Sequence, residues 1–184
     1  MAYFDDLKKN IQIYFGKKGP VADHKPGIIH DLSKPRNIGM FFCVESKAEL
    51  DEVRKLVRYI RSNEGKVTAL VFSHEPEKVD VITDKSIFYF DLNDFTLFGR
   101  MKNYLQETFD KEDFELMISF IDQPDPFCYK LVSEVKAGFK VGPDNPGLNK
   151  IYDLTLKFDP GEKGYRKFYD QVRHYLSVLK IKTR

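Results

Sequence analysis

The stretch NIGMFFCV, residues 37–44, decides the fold class of this chain. It is a continuous apolar run, which is typical of a strand buried on both faces of a parallel sheet. A helix is predicted after it, because Ser46 and Glu49 have the spacing of a capping box and apolar residues then recur every three or four positions as far as Ile60. The run KVTALVF, residues 66–72, predicts a second strand. Together these elements predict a βαβ unit with a right-handed crossover.

The rest of the chain continues this alternation of strands and helices. The link at 143–150 is too short for a helical crossover, so the strand after it is expected at a sheet edge, either antiparallel to its neighbour or reached by an irregular loop. Residues 74–85 show no clear pattern. The apolar stripe of the last helix, expected to be buried, consists of Tyr165, Phe168, Val172, Tyr175, Leu176 and Leu179. Further strands are predicted at 86–91, 114–121, 137–142 and 151–158, and further helices at 96–108, from Asp125 onward and at 163–180.

These elements predict one α/β domain over residues 37–184, preceded by an N-terminal helix and an extended arm over residues 1–36. The length of 184 residues agrees with a single domain. We expect a three-layer, Rossmann-like domain with a mainly parallel sheet of five or six strands and the N- and C-terminal helices packed on it. A strand order of 3-2-1-4-5 would place the switch in strand order between the strands at 37–44 and 114–121.

Composition excludes several classes of protein. Hydrophobic residues make up 42% and charged residues 32%, a balance typical of a globular chain rather than a disordered one. No apolar run approaches the ~18 residues of a membrane span, so no membrane partner is expected. Cys43 and Cys128 show no CxxC spacing, which is typical of a reducing compartment, and the charged N-terminus MAYFDDLKKN lacks a signal-peptide pattern. We therefore expect a cytoplasmic protein.

The net charge of +2 is unevenly distributed along the chain. Residues 1–36 carry +3, residues 37–159 carry −6 and residues 160–184 carry +5. Basic ends can contact nucleic acid or an acidic protein partner. Because neither end has a block of five or six like charges, we expect the ends to pack onto the acidic body or simply to stay solvated. Of the two kinds of partner, a protein is favoured over nucleic acid.

No cofactor or metal site is predicted from the motifs. The first strand-to-helix turn has no glycine, and Glu45 within it would repel a phosphate, so a dinucleotide site is not expected. No P-loop occurs either. His24 and His30, each beside an aspartate, lack the spacing of a metal motif, and His74 and His174 are predicted to be surface or packing residues. Cys128 has no histidine near it in sequence and is predicted to be structural.

The carboxyl ends of the strands carry the candidate site. In open α/β sheets, ligands bind there, at the switch in strand order. The loops predicted to meet at this point contain Glu45, Ser46, Asp122 and Gln123. Asp122 is the foremost candidate, as an acid, a base or a cation ligand. Asp125 is predicted to be a helix N-cap, because Pro126 follows it at the first helical position.

Several segments resemble a family of small uncharacterised proteins of unknown function from Bacteroidetes-type bacteria. They are NIGMFF (37–42), DLNDFTLFG (91–99), FELMISFID (114–122), VKAGFKVG (135–142) and YDLTLKF (152–158), and the resemblance covers roughly residues 30–180. It implies a cytoplasmic α/β protein and no known catalytic residues. The segment SEVKAGFKVG (133–142) is also similar to a helix-to-strand segment of heptosyltransferase-like glycosyltransferases, which implies nucleotide-sugar chemistry.

Two hypotheses about function follow from the sequence. The first is a non-enzymatic cytoplasmic binding or assembly protein that uses its basic ends or an exposed sheet edge. The alternative is a small-molecule or nucleotide-sugar-binding enzyme remnant that uses the crevice around Asp122. The absence of a glycine-rich loop, a histidine-backed nucleophile and a metal motif favours the first, and leaves open whether the protein is an enzyme.

Overall fold

The computed structural model describes residues 10, 32–75, 79, 84–121, 123, 125–146, 149–158 and 164–179. Within these ranges, six strands form one sheet in the order β3-β2-β1-β4-β5-β6, and every neighbouring pair is parallel. The chain adds β2 and β3 on one side of β1 and then returns to place β4 on the other side. The switch in strand order therefore lies between β1 and β4, and the predicted Rossmann-like α/β fold is confirmed. The strands are β1 (Asn37–Cys43), β2 (Lys66–Ser73), β3 (Ile87–Asp91), β4 (Phe114–Ser119), β5 (Ala137–Pro143) and β6 (Leu154–Leu156).

Four helices of the described chain cover the two faces of the sheet. Helices α1 and α4 lie over one face, where the core is mainly aliphatic, and α2 and α3 lie over the other, where rings such as Phe72, Phe90 and Phe127 dominate. None of these helices is long and apolar enough to cross a membrane. The helices are α1 (Lys47–Asn63), α2 (Asn103–Lys111), α3 (Pro126–Glu134) and α4 (Gly164–Val178).

The βαβ unit forms as its sequence predicts. All four apolar positions expected to face the sheet from α1, from Leu50 to Ile60, are buried. The N-cap is also present: the Ser46 hydroxyl accepts a hydrogen bond from the Glu49 backbone N–H at 3.3 Å. The Glu49 carboxylate, however, accepts from the backbone N–H of Glu45, one residue before the cap. The cap therefore fastens the loop after β1 as well as the helix.

The helix predicted at 96–108 is wrong in its first half. Residues Leu92–Asp94 form a short 3₁₀ helix, and a bridge between Phe95 and Met101 then closes a turn. Gly99 in this turn has a φ of 69°, a left-handed conformation that a helix does not allow. Helix α2 begins only at Asn103, and Phe98, which lies within the predicted range, is 62% exposed.

In the C-terminal part of the chain, the structure differs from two further predictions. Strand β6 is parallel to β5, so the irregular-loop alternative is correct and the antiparallel one is wrong; the connection contains only a 3₁₀ turn at Asn149–Ile151. In α4, the buried stripe follows Phe168, Val172 and Leu176 at four-residue spacing. Tyr175 lies beside this stripe and Leu179 lies beyond the helix end, and both are exposed rather than buried.

The predicted N-terminal helix and most of the arm lie outside the described residues. The last residues of the arm pack on the domain, since Leu32 is buried in the aliphatic core. The Arg173 side chain of α4 donates hydrogen bonds to the backbone carbonyls of Leu32 and Ser33 and pairs with Glu64 at 2.8 Å. This basic residue of the last helix is therefore engaged within the chain.

Candidate functional site

The switch in strand order brings together four side chains from three connections of the sheet. Cys43 is the last residue of β1, and His74 directly follows β2. Asp125 and Cys128 lie at the start of α3, which follows β4. One donor atom from each residue, a sulfur, a nitrogen or an oxygen, lies within 4.8 Å of the other three. We call Cys43, His74, Asp125 and Cys128 the cluster.

Asp125 is the centre of the cluster's hydrogen bonds. Its Oδ1 caps α3, accepting from the backbone N–H groups of Phe127 at 2.8 Å and Cys128 at 3.2 Å. Its Oδ2 faces the cluster, where it lies 2.6 Å from His74 Nε2 and accepts from the Cys128 thiol at 3.3 Å. Burial alone would raise the pKa of Asp125, but the bonds from His74 and Cys128 outweigh it and lower that pKa from 3.8 to about 2.

A short turn at the end of β2 positions His74. The Ser73 hydroxyl accepts from the Glu75 backbone N–H at 3.1 Å, which fixes the turn. The imidazole ring packs edge-on against Phe72, with centroids 4.8 Å apart, and lies 6.0 Å from the Phe127 ring. Its Nε2 faces Asp125, whereas its Nδ1 is buried and has no hydrogen-bond partner among the described residues.

The two thiols differ in exposure. Cys43 is partly exposed at the end of its strand, whereas Cys128 is fully buried in the first turn of α3. Burial, the nearby Cys43 thiol and the Asp125 carboxylate together raise the pKa of Cys128 well above its ordinary value of 9.0. The Cys128 side chain is therefore a protonated thiol at neutral pH, and it needs a strong positive charge beside it to ionise.

The donor set of the cluster matches the chemistry of a zinc-class ion. Two sulfurs, one imidazole nitrogen and one carboxylate oxygen are the ligand types that Zn²⁺ binds in tetrahedral sites. Thiolate ligands select against Mg²⁺ and Ca²⁺, which prefer oxygen. The present distance of 2.6 Å between His74 Nε2 and Asp125 Oδ2 is that of a hydrogen bond. Nitrogen and oxygen ligands of a tetrahedral zinc ion lie about 3.3 Å apart, so an ion would replace the shared proton and separate these two atoms slightly.

The residues predicted from the sequence lie around this cluster rather than in it. Ser46 caps α1, and Glu45 is exposed and fastened to Glu49 through its backbone. Gln123 is exposed in the loop before α3. Asp122 lies outside the described residues, as do His24 and His30, so the role assigned to Asp122 stays a prediction. Asp125 is the N-cap that the sequence predicted, and it has a second role as the centre of the cluster.

Sequence reasoning missed His74 and the pairing of the two cysteines. Asp125 and Cys128 are three positions apart, but Cys43 and His74 are too far from them and from each other in the chain to form a spacing motif. A usable signal was present, because Cys43 ends one predicted strand, His74 follows the next, and Cys128 begins a helix after a third. The rule that ligands bind at the carboxyl ends of strands, applied to every ligating residue there, would have selected all three.

The same segments that build this fold identify the family. The model of a family of unknown function, DUF6913, matches residues 7–179. The chain belongs to this family. The match confirms the predicted resemblance to an uncharacterised family and spans every element that carries the cluster. No curated protein matches the chain in sequence.

Proposed function

We propose that this protein is a non-enzymatic metal-binding protein that holds one divalent ion of the zinc class in the cluster. The observation that carries the proposal is the convergence of four ligating atoms of suitable types within 4.8 Å of one another. They come from three separate connections at the carboxyl edge of the sheet, where parallel α/β proteins bind their ligands.

The number of protein ligands favours binding over catalysis. Four side chains fill the coordination sphere of a tetrahedral ion, whereas catalytic zinc sites keep one position open for water or substrate. Asp125 can serve as a ligand without loss of the helix cap, because Oδ1 receives the two backbone N–H groups and Oδ2 faces the cluster.

A bound ion would supply the positive charge that the Cys128 thiol needs in order to ionise. The pKa of the Cys128 thiol is raised by burial and by the Asp125 carboxylate, so the protein without an ion keeps this thiol protonated. A divalent cation would stabilise the thiolate and release protons on binding, and the affinity should therefore rise with pH. A cytoplasmic location belongs to this proposal, because a reducing compartment keeps both thiols available.

Cobalt titration tests the proposal directly. Co²⁺ in a tetrahedral site with thiolate ligands absorbs strongly in the visible and near ultraviolet, and a chromophoric chelator in competition reports the affinity for Zn²⁺. We expect one equivalent to bind, and we expect Cys43→Ser and Cys128→Ser to weaken binding by roughly 100-fold or more, beyond the loss typical of an outer hydrogen-bond partner.

Ser46→Ala is the matched control for this titration. It removes a helix cap in the same crevice without touching the cluster, so its metal affinity should equal that of the wild type. Equal affinity of the wild type and the Cys43→Ser, Cys128→Ser double variant would contradict the proposal.

One observation favours an enzyme as the second candidate. The pair of Asp125 and His74 lies beside two thiols, and these are the residue types of a cysteine nucleophile that a histidine assists. A nucleophile of this kind reacts with iodoacetamide much faster than a free thiol does, and the reaction slows in a His74→Ala variant. Slow alkylation that does not depend on His74 would rule out the cysteine nucleophile and leave metal binding as the supported function.

A further inference from the structure

We propose that Cys43 and Cys128 are a redox switch, which a hydroperoxide closes into a disulfide, and that closure releases the metal ion. This inference rests on the proposed function, because it concerns the control of the same cluster. The two residues are the only cysteines of the chain, so each has one possible intramolecular partner.

The geometry places the two sulfurs close together but not bonded. Both thiols are free, and their sulfurs lie within 4.8 Å of each other. A disulfide requires an S–S distance of about 2.05 Å, so the sulfurs must approach by at most about 2.8 Å. Cys43 can make this movement, because it is the last residue of its strand and its side chain is only partly buried.

The difference in exposure assigns an order to the chemistry. Cys43, the more exposed residue of the pair, attacks the hydroperoxide through its sulfur; an S–O bond forms, the O–O bond breaks, and water or an alcohol leaves with the thiol proton. The Cys128 sulfur then attacks the resulting sulfenic acid, the S–S bond forms and the S–O bond breaks. The departing hydroxide takes up the proton of the Cys128 thiol, or one from solvent where a bound ion has already displaced it, and leaves as water. Two thiols and one hydroperoxide thus give one disulfide, with the sulfurs oxidised and the peroxide oxygen reduced.

The disulfide removes half of the ligands from the cluster. His74 and Asp125 remain, and a neutral imidazole with one carboxylate holds a zinc-class ion far more weakly than a site with two thiolates does. These two residues can also re-form their direct hydrogen bond, which is 2.6 Å long here, once the ion has left. The cap of α3 survives, because it uses the other oxygen of Asp125.

The test is peroxide titration of the zinc-loaded protein with three parallel readouts. Released zinc is measured with a chromophoric chelator, free thiols are counted after denaturation, and the intact mass is recorded. We expect one zinc ion and two thiols to be lost together, the mass of the protein to fall by about 2 Da, and dithiothreitol to restore both thiols and zinc binding. The Ser46→Ala variant is the control and should respond as the wild type does.

The outcomes of this titration, carried out both with and without zinc, separate this inference from the proposed function. A protein that never binds zinc but loses two thiols and about 2 Da contradicts the metal-binding function and the release step, and upholds the thiol pair. A protein that binds zinc but gains about 32 Da, as sulfinic acid, or keeps its zinc after the disulfide has formed, overturns the switch and leaves the metal centre intact. Dimers linked between two chains would also overturn it.

Discussion

Helices α1 and α3 both begin at the carboxyl edge of the sheet, yet they are held in different ways. In α1, which has 17 residues, the cap is Ser46, its bonds join residues three or four apart, and Gly65 with a φ of 107° follows the helix. In α3, which has nine residues, the cap Asp125 contacts His74, 51 positions away. The other end of α3 is held by Lys140, whose ammonium group donates to the backbone carbonyls of Val132 and Ser133.

The difference shows where to look for function in such a sheet. At the start of α1, the Ser46 hydroxyl and the Glu49 carboxylate accept hydrogen bonds from residues three and four positions away. The cap of α3 has one oxygen more than capping needs, and that oxygen organises side chains from two other connections. A cap with partners distant in sequence therefore marks the candidate site, whereas a cap with only local partners marks a helix end.

Removal of the α3 cap should lower the free energy of unfolding more than removal of the α1 cap does. Asp125→Ala removes the N-cap and leaves a partly buried His74 nitrogen without its partner, so we expect the free energy of unfolding to fall by about 3 kcal/mol. Asp125→Asn keeps an oxygen for the cap and should lose less. Chemical denaturation in the presence of a metal chelator measures both. Equal small losses for the two variants would show that the Asp125 to His74 contact adds nothing to the cap.

Lys140 should give α3 a dependence on pH that α1 lacks. Burial lowers the pKa of Lys140 from 10.5 to about 8, against the opposing effect of Asp153, and the side chain is 1% exposed. The unfolded chain therefore binds more protons between these two values, so the stability contributed at this site should rise with pH. We expect a gain of about 2 kcal/mol from pH 7.5 to 9.5 in the wild type relative to Lys140→Met. Parallel profiles of the two proteins in urea denaturation would contradict this.

Removal of the α1 cap should cause the smallest loss of stability. Ser46→Ala removes one hydrogen bond between residues three apart at the surface of the domain, so we expect a loss of about 1 kcal/mol. Thermal unfolding of this variant next to Asp125→Ala compares the two caps directly. A loss for Ser46→Ala as large as that for Asp125→Ala would remove the distinction between a local cap and a site.

Much of the fold follows from patterns that are local in the sequence. The continuous apolar run at 37–44 and the periodicity from Leu50 to Ile60 specify a buried strand and an amphipathic helix without reference to the rest of the chain. Asp125 before Pro126 specifies a helix start for the same reason. Given these elements, the handedness of the crossover restricts the strand order, and the switch between β1 and β4 could be predicted.

Other features depended on packing that no local pattern describes. The parallel direction of β6 depends on how the short connection with its 3₁₀ turn lies against the sheet. The late start of α2 depends on the turn closed by Phe95 and Met101, and the exposure of Tyr175 depends on which side of α4 meets the core. In each case the periodicity was compatible with more than one arrangement, and tertiary contacts selected one.

The sequence by itself determined the alternation of strands and helices, the caps of α1 and α3, and the edge of the sheet at which a ligand would bind. Only the tertiary structure determined which side chains meet at that edge. Cys43 and Cys128 are 85 positions apart, and their meeting depends on the parallel register of β1 with β2 and β4 and on the turn after β2. Register and turn geometry are collective properties of the packed sheet, so the cluster appears only when the sheet is assembled.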